Sequence, residues 1–447
     1  MWLWVLLAVG LVSAPARADI PQTQDGAGIK VGPRSTLHPG FALLFGFDSN
    51  VFWTRPEDRE GVRRAALMTP TAWLGLGNRQ VRDMVLQTPT GPSDRKVDYN
   101  IRAATGYRAY LAGDPDIRGQ SRLNFTLDGH LIFAPGRRFS VAIDESFSRL
   151  AEPRNYEAGP DFNFNRIDHR GALTLTVRPG GGRLSLSAAY LSEALYFQAS
   201  DIFNSDRIVN GAGAEAKWRF LPRSALLARY SFHSTYYLCC IETGTGRNED
   251  SYAHRVMVGY RGQIGARMVL EALAGYGQAD YIYDTVTPAN FKGFIGTATL
   301  GYYPTLRTHL FVQADRGFQD SLFGNYYVDA GGRIGASQTF RWRMFAALNL
   351  GVFARRYEGL PVPGQDINNI SGYSNAYGDL ATSLARKDTI FALESRLEQP
   401  LGRYFVAALR YNLSVTATDF AIRFTNGYED RAGFTKHVAM LIGAVRF

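Results

Sequence analysis

The sequence predicts an all-β fold, a transmembrane antiparallel barrel of about eighteen strands with short periplasmic turns and long extracellular loops. Three observations predict it. Apolar and polar residues alternate with period two through most of the chain, which marks strands with one apolar and one polar face. The connections fall into two alternating classes, one tight and one long. Aromatic residues gather toward the ends of the apolar faces.

The 447-residue chain opens with MWLWVLLAVGLVSAPARA, an apolar run followed by small residues. Ala16-Arg17-Ala18 supplies an A-x-A cleavage site, so residues 1–18 read as an export signal and Asp19 as the mature start. The absence of Lys and Arg before the apolar run departs from that pattern. No later segment has the roughly twenty apolar residues of a transmembrane helix. Residues 19–36 read as a periplasmic N-terminal segment and residues 37–447 as the barrel. A net charge of +9 suits an anionic partner, but export excludes nuclear or cytosolic nucleic acid. Cys239 and Cys240 are adjacent, which excludes a disulfide framework and a spaced metal-ligand set.

In VDYNIRAATGYRAYL, Val97, Tyr99, Ile101, Ala103, Tyr107 and Leu111 share a face opposite Asp98, Asn100, Arg102 and Arg108. RLNFTLDGHLIF repeats this, with Leu123, Phe125, Leu127, Leu131 and Phe133 against Arg122, Asn124, Asp128 and His130. Such segments begin near 37, 66, 97, 122, 138, 166, 183, 208, 224, 251, 267, 293, 308, 326, 340, 388, 403 and 433. At about ten residues or more they exceed the usual globular strand. Tight connections lie at 134–137, 179–182, 221–224, 262–265, 304–307 and 399–403, and long polar ones at 48–64, 150–161, 235–250, 278–291, 354–385 and 416–430. The 80–94 connection is long where the scheme expects a short one. A soluble sandwich or propeller also has period two, but it predicts shorter strands and gives no reason for two classes of connection.

Beside the tight turns stand Phe133, Phe139, Trp218, Phe220, Tyr260, Tyr302, Trp342 and Phe405. Toward the long loops stand Phe45, Phe47, Tyr107, Phe147, Tyr190, Phe232, Tyr276 and Tyr411. These read as two aromatic girdles at the membrane interfaces. Phe447 shares a face with Ala439, Leu441 and Val445 and falls in the periplasmic girdle, so the chain reads as complete. One irregularity is that Val438, Met440 and Ile442 make the other face of this strand apolar as well.

FGFDSNVFW, LTVRPGGGRLSLSAAY, WRFLPRSALLARYSF and GYRGQIGARMVLEALAGYG resemble strand–turn–strand units of a family of bacterial β-barrel porins, particularly those encoded with exopolysaccharide export systems. The resemblance implies a barrel of about eighteen strands and no catalytic residues. It also implies service in some systems as the outer-membrane part of a polysaccharide translocon, beside a periplasmic polysaccharide export protein. The terminal Phe447 resembles the signal read by the barrel-assembly machinery.

The polar faces carry Arg102, Arg108, Arg122, Arg170, Lys217, Arg229, Arg255, Arg333, Arg396 and Arg410, against Asp128, Asp144, Asp168, Glu215, Asp315 and Glu394. As pore-lining residues they form either an ion-paired wall that fixes barrel shape or a surface that passes an acidic polysaccharide. Arg137, Arg138, Arg178, Arg219, Arg223, Arg261, Arg267, Arg341, Arg343 and Arg446 gather at the short-turn end. They read as a periplasmic mouth that concentrates polyanions, or as turn charges that solvate the rim and face outer-membrane lipids and lipopolysaccharide. No G-x-S-x-G, H-E-x-x-H or G-x-x-x-x-G-K pattern occurs, so no catalytic, metal or cofactor site is expected. The 354–385 connection reads as a constriction or a lid. The preferred function is a polysaccharide conduit; the alternatives are a general or substrate-selective diffusion porin and a non-conducting anchor or adhesin.

Overall fold

In the computed structural model the described residues are 26–56, 61–78, 96–150, 157, 165–198, 206–238, 249–282, 289–322, 324–360, 370–374, 386–418, 420–424 and 429–447. Eighteen long strands make the wall. They are β1 (Thr36–Asp48), β2 (Ala65–Gly77), β3 (Val97–Leu111), β4 (Arg122–Phe133), β5 (Phe139–Leu150) and β6 (Arg166–Val177). Next come β7 (Leu184–Phe197), β8 (Arg207–Leu221), β9 (Ser224–Tyr237), β10 (Ser251–Ile264), β11 (Met268–Tyr281) and β12 (Phe291–Thr305). The last are β13 (Thr308–Asp320), β14 (Tyr326–Thr339), β15 (Phe345–Glu358), β16 (Lys387–Pro400), β17 (Phe405–Ala417) and β18 (Phe434–Arg446). Each pairs antiparallel with the next, and β18 closes on β1 through Gly40↔Arg446 to Asp48↔Val438. A closed sheet satisfies its backbone groups internally, which is what lets a β structure cross lipid.

The starts expected from period two lie within two residues of these, apart from β15, which begins at Phe345 instead of near 340. The reason is local. Phe340 donates its backbone N–H to Met344 O at 2.8 Å, and Arg343 takes φ 67°, so residues 340–344 turn before the strand begins. Ile29–Lys30 fold back on Leu37 and Thr36 beside β1. The whole of the long 80–94 connection and both Cys239 and Cys240 lie outside the described residues. The residues on either side of that connection are tied: Asn78 Nδ2 donates to Val97 O at 2.7 Å, and Tyr99 N donates to Asn78 Oδ1 at 2.9 Å.

The outer face is apolar. Phe139, Trp218, Phe220, Trp342 and Phe405 are exposed toward the short-turn end, and Phe45, Phe47, Tyr107, Tyr190 and Tyr276 toward the long-loop end. Between them lie exposed Ile101, Leu173, Val258 and Ile334. Rings favour the headgroup zone because they are apolar in body and polar or polarisable at the edge. Phe447 lies at the short-turn end, where its backbone N–H donates to Pro39 O at 3.1 Å and its ring sits 5.0 Å from Tyr404.

Candidate lumen site

Because side chains alternate across the wall, the register decides which residues face inward. Arg102 pairs with Asp128, and Arg108 with Arg122. Asp144 pairs with His130 in register and in a short hydrogen bond. Asp128 accepts from Ser146 Oγ at 2.9 Å, and Asp168 accepts from Arg166 Nε at 2.9 Å. Arg170 contacts Glu193 at 2.8 Å. Further round, Arg229 joins Glu215 at 2.5 Å and Glu271 at 3.6 Å, and Lys217 lies two residues along the same face as Glu215. Asp315 accepts from Thr297 Oγ1 at 2.6 Å, and the Arg333 guanidinium lies 5.1 Å from the Phe353 ring. Arg255 stands over Phe318, Arg396 pairs with Glu398, Glu394 faces Asn412, and Arg410 faces Met440 and Arg396. By strand parity these side chains lie on the face away from exposed Ile101, Leu173 and Ile334, spread around the wall rather than in one cluster, and their role as pore lining stays an expectation.

The extracellular end is narrowed by the tip of the β13–β14 hairpin. Thr235 on β9 donates to Asp320 Oδ2 at 3.1 Å, and Tyr281 on β11 donates to Asp320 Oδ1 at 3.4 Å. Four strand spacings of about 4.8 Å separate β9 from β13 along the wall, roughly 19 Å, far beyond the joint reach of a Thr and an Asp. The end of β13 therefore leaves the wall and leans inward. Ser321 Oγ and Leu322 N then donate to Glu157 Oε1 at 2.8 and 3.2 Å, and Asn325 Nδ2 donates to Glu249 at 3.3 Å. Ser321, Leu322, Asn325 and Tyr327 are all buried. Behind the tip, Arg355 forms two bonds to Asp329 at 2.7 and 2.8 Å, and Arg386 binds Asp388 at 2.7 to 3.0 Å. Burial pushes the Glu157 carboxyl above the usual range, with Arg355, Ser321, Leu322 and Arg386 partly offsetting it. Burial alone would lower the Arg386 guanidinium, but Asp388 and its other neighbours hold it above its ordinary value.

At the short-turn end, Arg137, Arg138, Arg178, Arg223, Arg267, Arg341 and Arg343 lie in turns, while Arg219, Arg261 and Arg446 lie at strand ends. Several are bonded within the protein. Arg261 reaches Glu271 at 3.4 Å and Arg446 reaches Glu398 at 2.9 Å. Arg178 donates to Arg137 O at 2.5 Å, Arg219 to Gly182 O at 3.1 Å, and Arg223 to Gln263 at 3.0 Å. Burial lowers the Arg178 guanidinium to about 10.

Three features escaped the sequence reading. The apolar inner face of β18 belongs to a buried seam in which Val438, Met440 and Ile442 pack with Ala42, Leu44, Leu67, Trp73, Val406 and Ala408. Trp73 lies across Gly40, where a Cβ would meet the indole at 2.1 Å. Above this seam Lys436 Nζ donates to Asp48 Oδ2 at 2.7 Å and to Asn50 O at 2.6 Å, while Tyr110 OH donates to Asp48 at 3.0 Å. The third is the inward tip itself. Its one signal is the shortness of the 321–325 connection among otherwise long extracellular loops. The 354–385 connection lies mostly outside the described residues, so its expected role as lid or constriction stays an expectation.

A closed antiparallel barrel with an apolar belt outside and charges inside is an integral outer-membrane protein of the Gram-negative type. No family model matches the chain, and no curated protein matches it. Among solved structures it is similar to the Pseudomonas aeruginosa proteins OccK1 (OpdK) and OccK9 (OpdG), each 10% identical, with TM-scores of 0.44 and 0.46. They cover 92% of this chain, which spans 99% and 98% of theirs. A BenF-like porin from Pseudomonas fluorescens Pf-5 is 11% identical, with a TM-score of 0.45 over 93% of this chain and 99% of its own. The strand count and closure rest on this protein's own ladders. None of these comparisons supports the exopolysaccharide-export type specifically.

Proposed function

We propose that the protein is a solute-selective diffusion porin. The observation that carries this reading is the narrowed mouth: a wide barrel whose extracellular end is entered by the β13–β14 tip and lined by paired charges. Eighteen strands about 4.8 Å apart, tilted about 40°, give a mean diameter of roughly 35 Å. That would be an unselective hole without such a tip. Paired Arg and Asp or Glu side chains present both donors and acceptors to a passing polar solute without holding it by net charge. A long polymer fits this mouth poorly, because its chain would have to displace buried side chains at every step.

The polymer-conduit reading keeps one favourable observation, the arginines collected at the short-turn end. Several of these are engaged in bonds within the wall and turns, which weakens polyanion capture. Proteoliposome swelling separates the two readings. Monosaccharides and amino acids are expected to enter at rates falling steeply with size, with oligosaccharides excluded. Normal surface polysaccharide is expected in a deletion strain. Loss of that polysaccharide, with no small-solute entry in liposomes, would favour the conduit and overturn the porin reading.

A further inference from the structure

The ladder between β12 and β13 runs up to Gly296↔Arg316 and stops. Above it both strands stay ordered on their other sides. Phe291 to Ile295 remain paired with β11, and Gly317 to Asp320 with β14. The strands part; they do not fray. The β13 side moves inward, held by Thr235 and Tyr281 on Asp320 and by Arg255 Nη2 donating to Phe318 O at 3.3 Å.

The parting lies at the height of the extracellular girdle, since Phe294 and its register partner Tyr276 are both exposed on the outer face. On an unbroken wall Phe318 would face lipid with Val312 and Arg316. Instead its ring is 2% exposed and stacks at 4.2 Å on Phe291, an inward residue, with Tyr326 at 5.7 Å from Phe291 and Ile295 in the same cluster. The Arg255 guanidinium lies 4.2 Å from the Phe318 ring on the lumen side. Outside, Lys292 and Arg316 are exposed on either side of the parting.

We propose that this parting is a lateral portal through which a small apolar solute passes between the lumen and the outer leaflet, with the Phe318 ring as its plug. An open strand edge is normally paired or covered. Here the cover is a stacked pair of rings, which another apolar or aromatic molecule can replace without breaking a backbone bond. Exposed Phe294 stands on the outer side of the parting, the stacked Phe291 and Phe318 rings on the inner side, and Arg255 beyond them in the lumen. The path therefore suits a neutral apolar body, with the cations at its two ends tolerating a polar edge. This function goes beyond porin action and does not depend on which polar solute the lumen passes.

The test is Phe318→Ala in intact cells of a porin-deficient host, using N-phenyl-1-naphthylamine, a dye that fluoresces on reaching lipid. Single-channel conductance in potassium chloride is the second readout. We expect dye entry at least threefold faster than with the wild type, while conductance stays within twofold. If dye entry and conductance rise in proportion, the ring merely holds the tip in the mouth, and the portal is overturned. If neither rises, with normal heat-modifiable migration on gels, it is overturned as well. Should Phe318→Ala fail to assemble, Phe318→Leu is read by the same criteria.

Discussion

Asp48 and Lys436 are 1% and 3% exposed and join β1 to β18 where the barrel closes. Removing one partner of a buried pair leaves an uncompensated charge, which costs roughly 3–5 kcal/mol. Lys436→Met is therefore expected to lower the denaturant midpoint in detergent by a corresponding amount, and Asp48→Asn/Lys436→Met to recover most of it. An unaltered midpoint for the single variant would show that the pair does not bear on closure. Glu157 makes a second residue-scale prediction. Its folded value lies above the ordinary carboxyl range, so the protonated form favours the buried position. The tip contact is then firmest below the ordinary carboxyl value and weakens as pH rises through the raised one. The groups acting on it include Arg207, Tyr237, Arg355, Tyr357 and Arg386. Conductance is expected to increase with pH across that window, and Glu157→Gln to flatten the dependence; an equally steep profile in the variant would exclude Glu157. We also propose that Phe447 is read during assembly. Phe447→Asp should lower the outer-membrane level several-fold, and an unchanged level would rule that out.

The strands were legible because their cause is local. Alternation in segments such as VDYNIRAATGYRAYL needs only near neighbours, and it placed β3 at Val97 without error. The inner faces followed from the same parity, which is how Arg229 and Glu215 could be put on one side before their contact was known. Three things were not legible. The β15 start was hidden by a turn in which Arg343 adopts a left-handed conformation that its sequence does not announce. The apolar seam looked like a defect in β18 because its partners, Leu44, Leu67 and Val406, are distant in the chain. The inward tip depends on Asp320 meeting Thr235, and on Glu157 and Glu249 meeting Ser321 and Asn325, contacts distant in the chain that no period records. Replacing Ser321–Asn325 and the adjoining ends of β13 and β14 with a two-residue turn is expected to raise conductance severalfold while heat-modifiable migration is kept. Equal conductance would show that the tip does not limit the lumen.

For the molecule as a whole, the sequence reading of the wall and the structure agree on a barrel, and we propose the porin alternative in place of the polysaccharide conduit. The proposal rests on the inward tip, where Asp320 accepts from Thr235 and Glu157 accepts from Ser321, with the buried pairs Arg355–Asp329 and Arg386–Asp388 behind it. The most direct measurement is single-channel recording of the purified wild-type protein in a planar bilayer, with neutral polyethylene glycols of graded size added to block the current. A small, steady conductance is expected, reduced by short glycols and unaffected by long ones. A large conductance that long glycols also reduce, or complete silence in a correctly folded barrel, would contradict it.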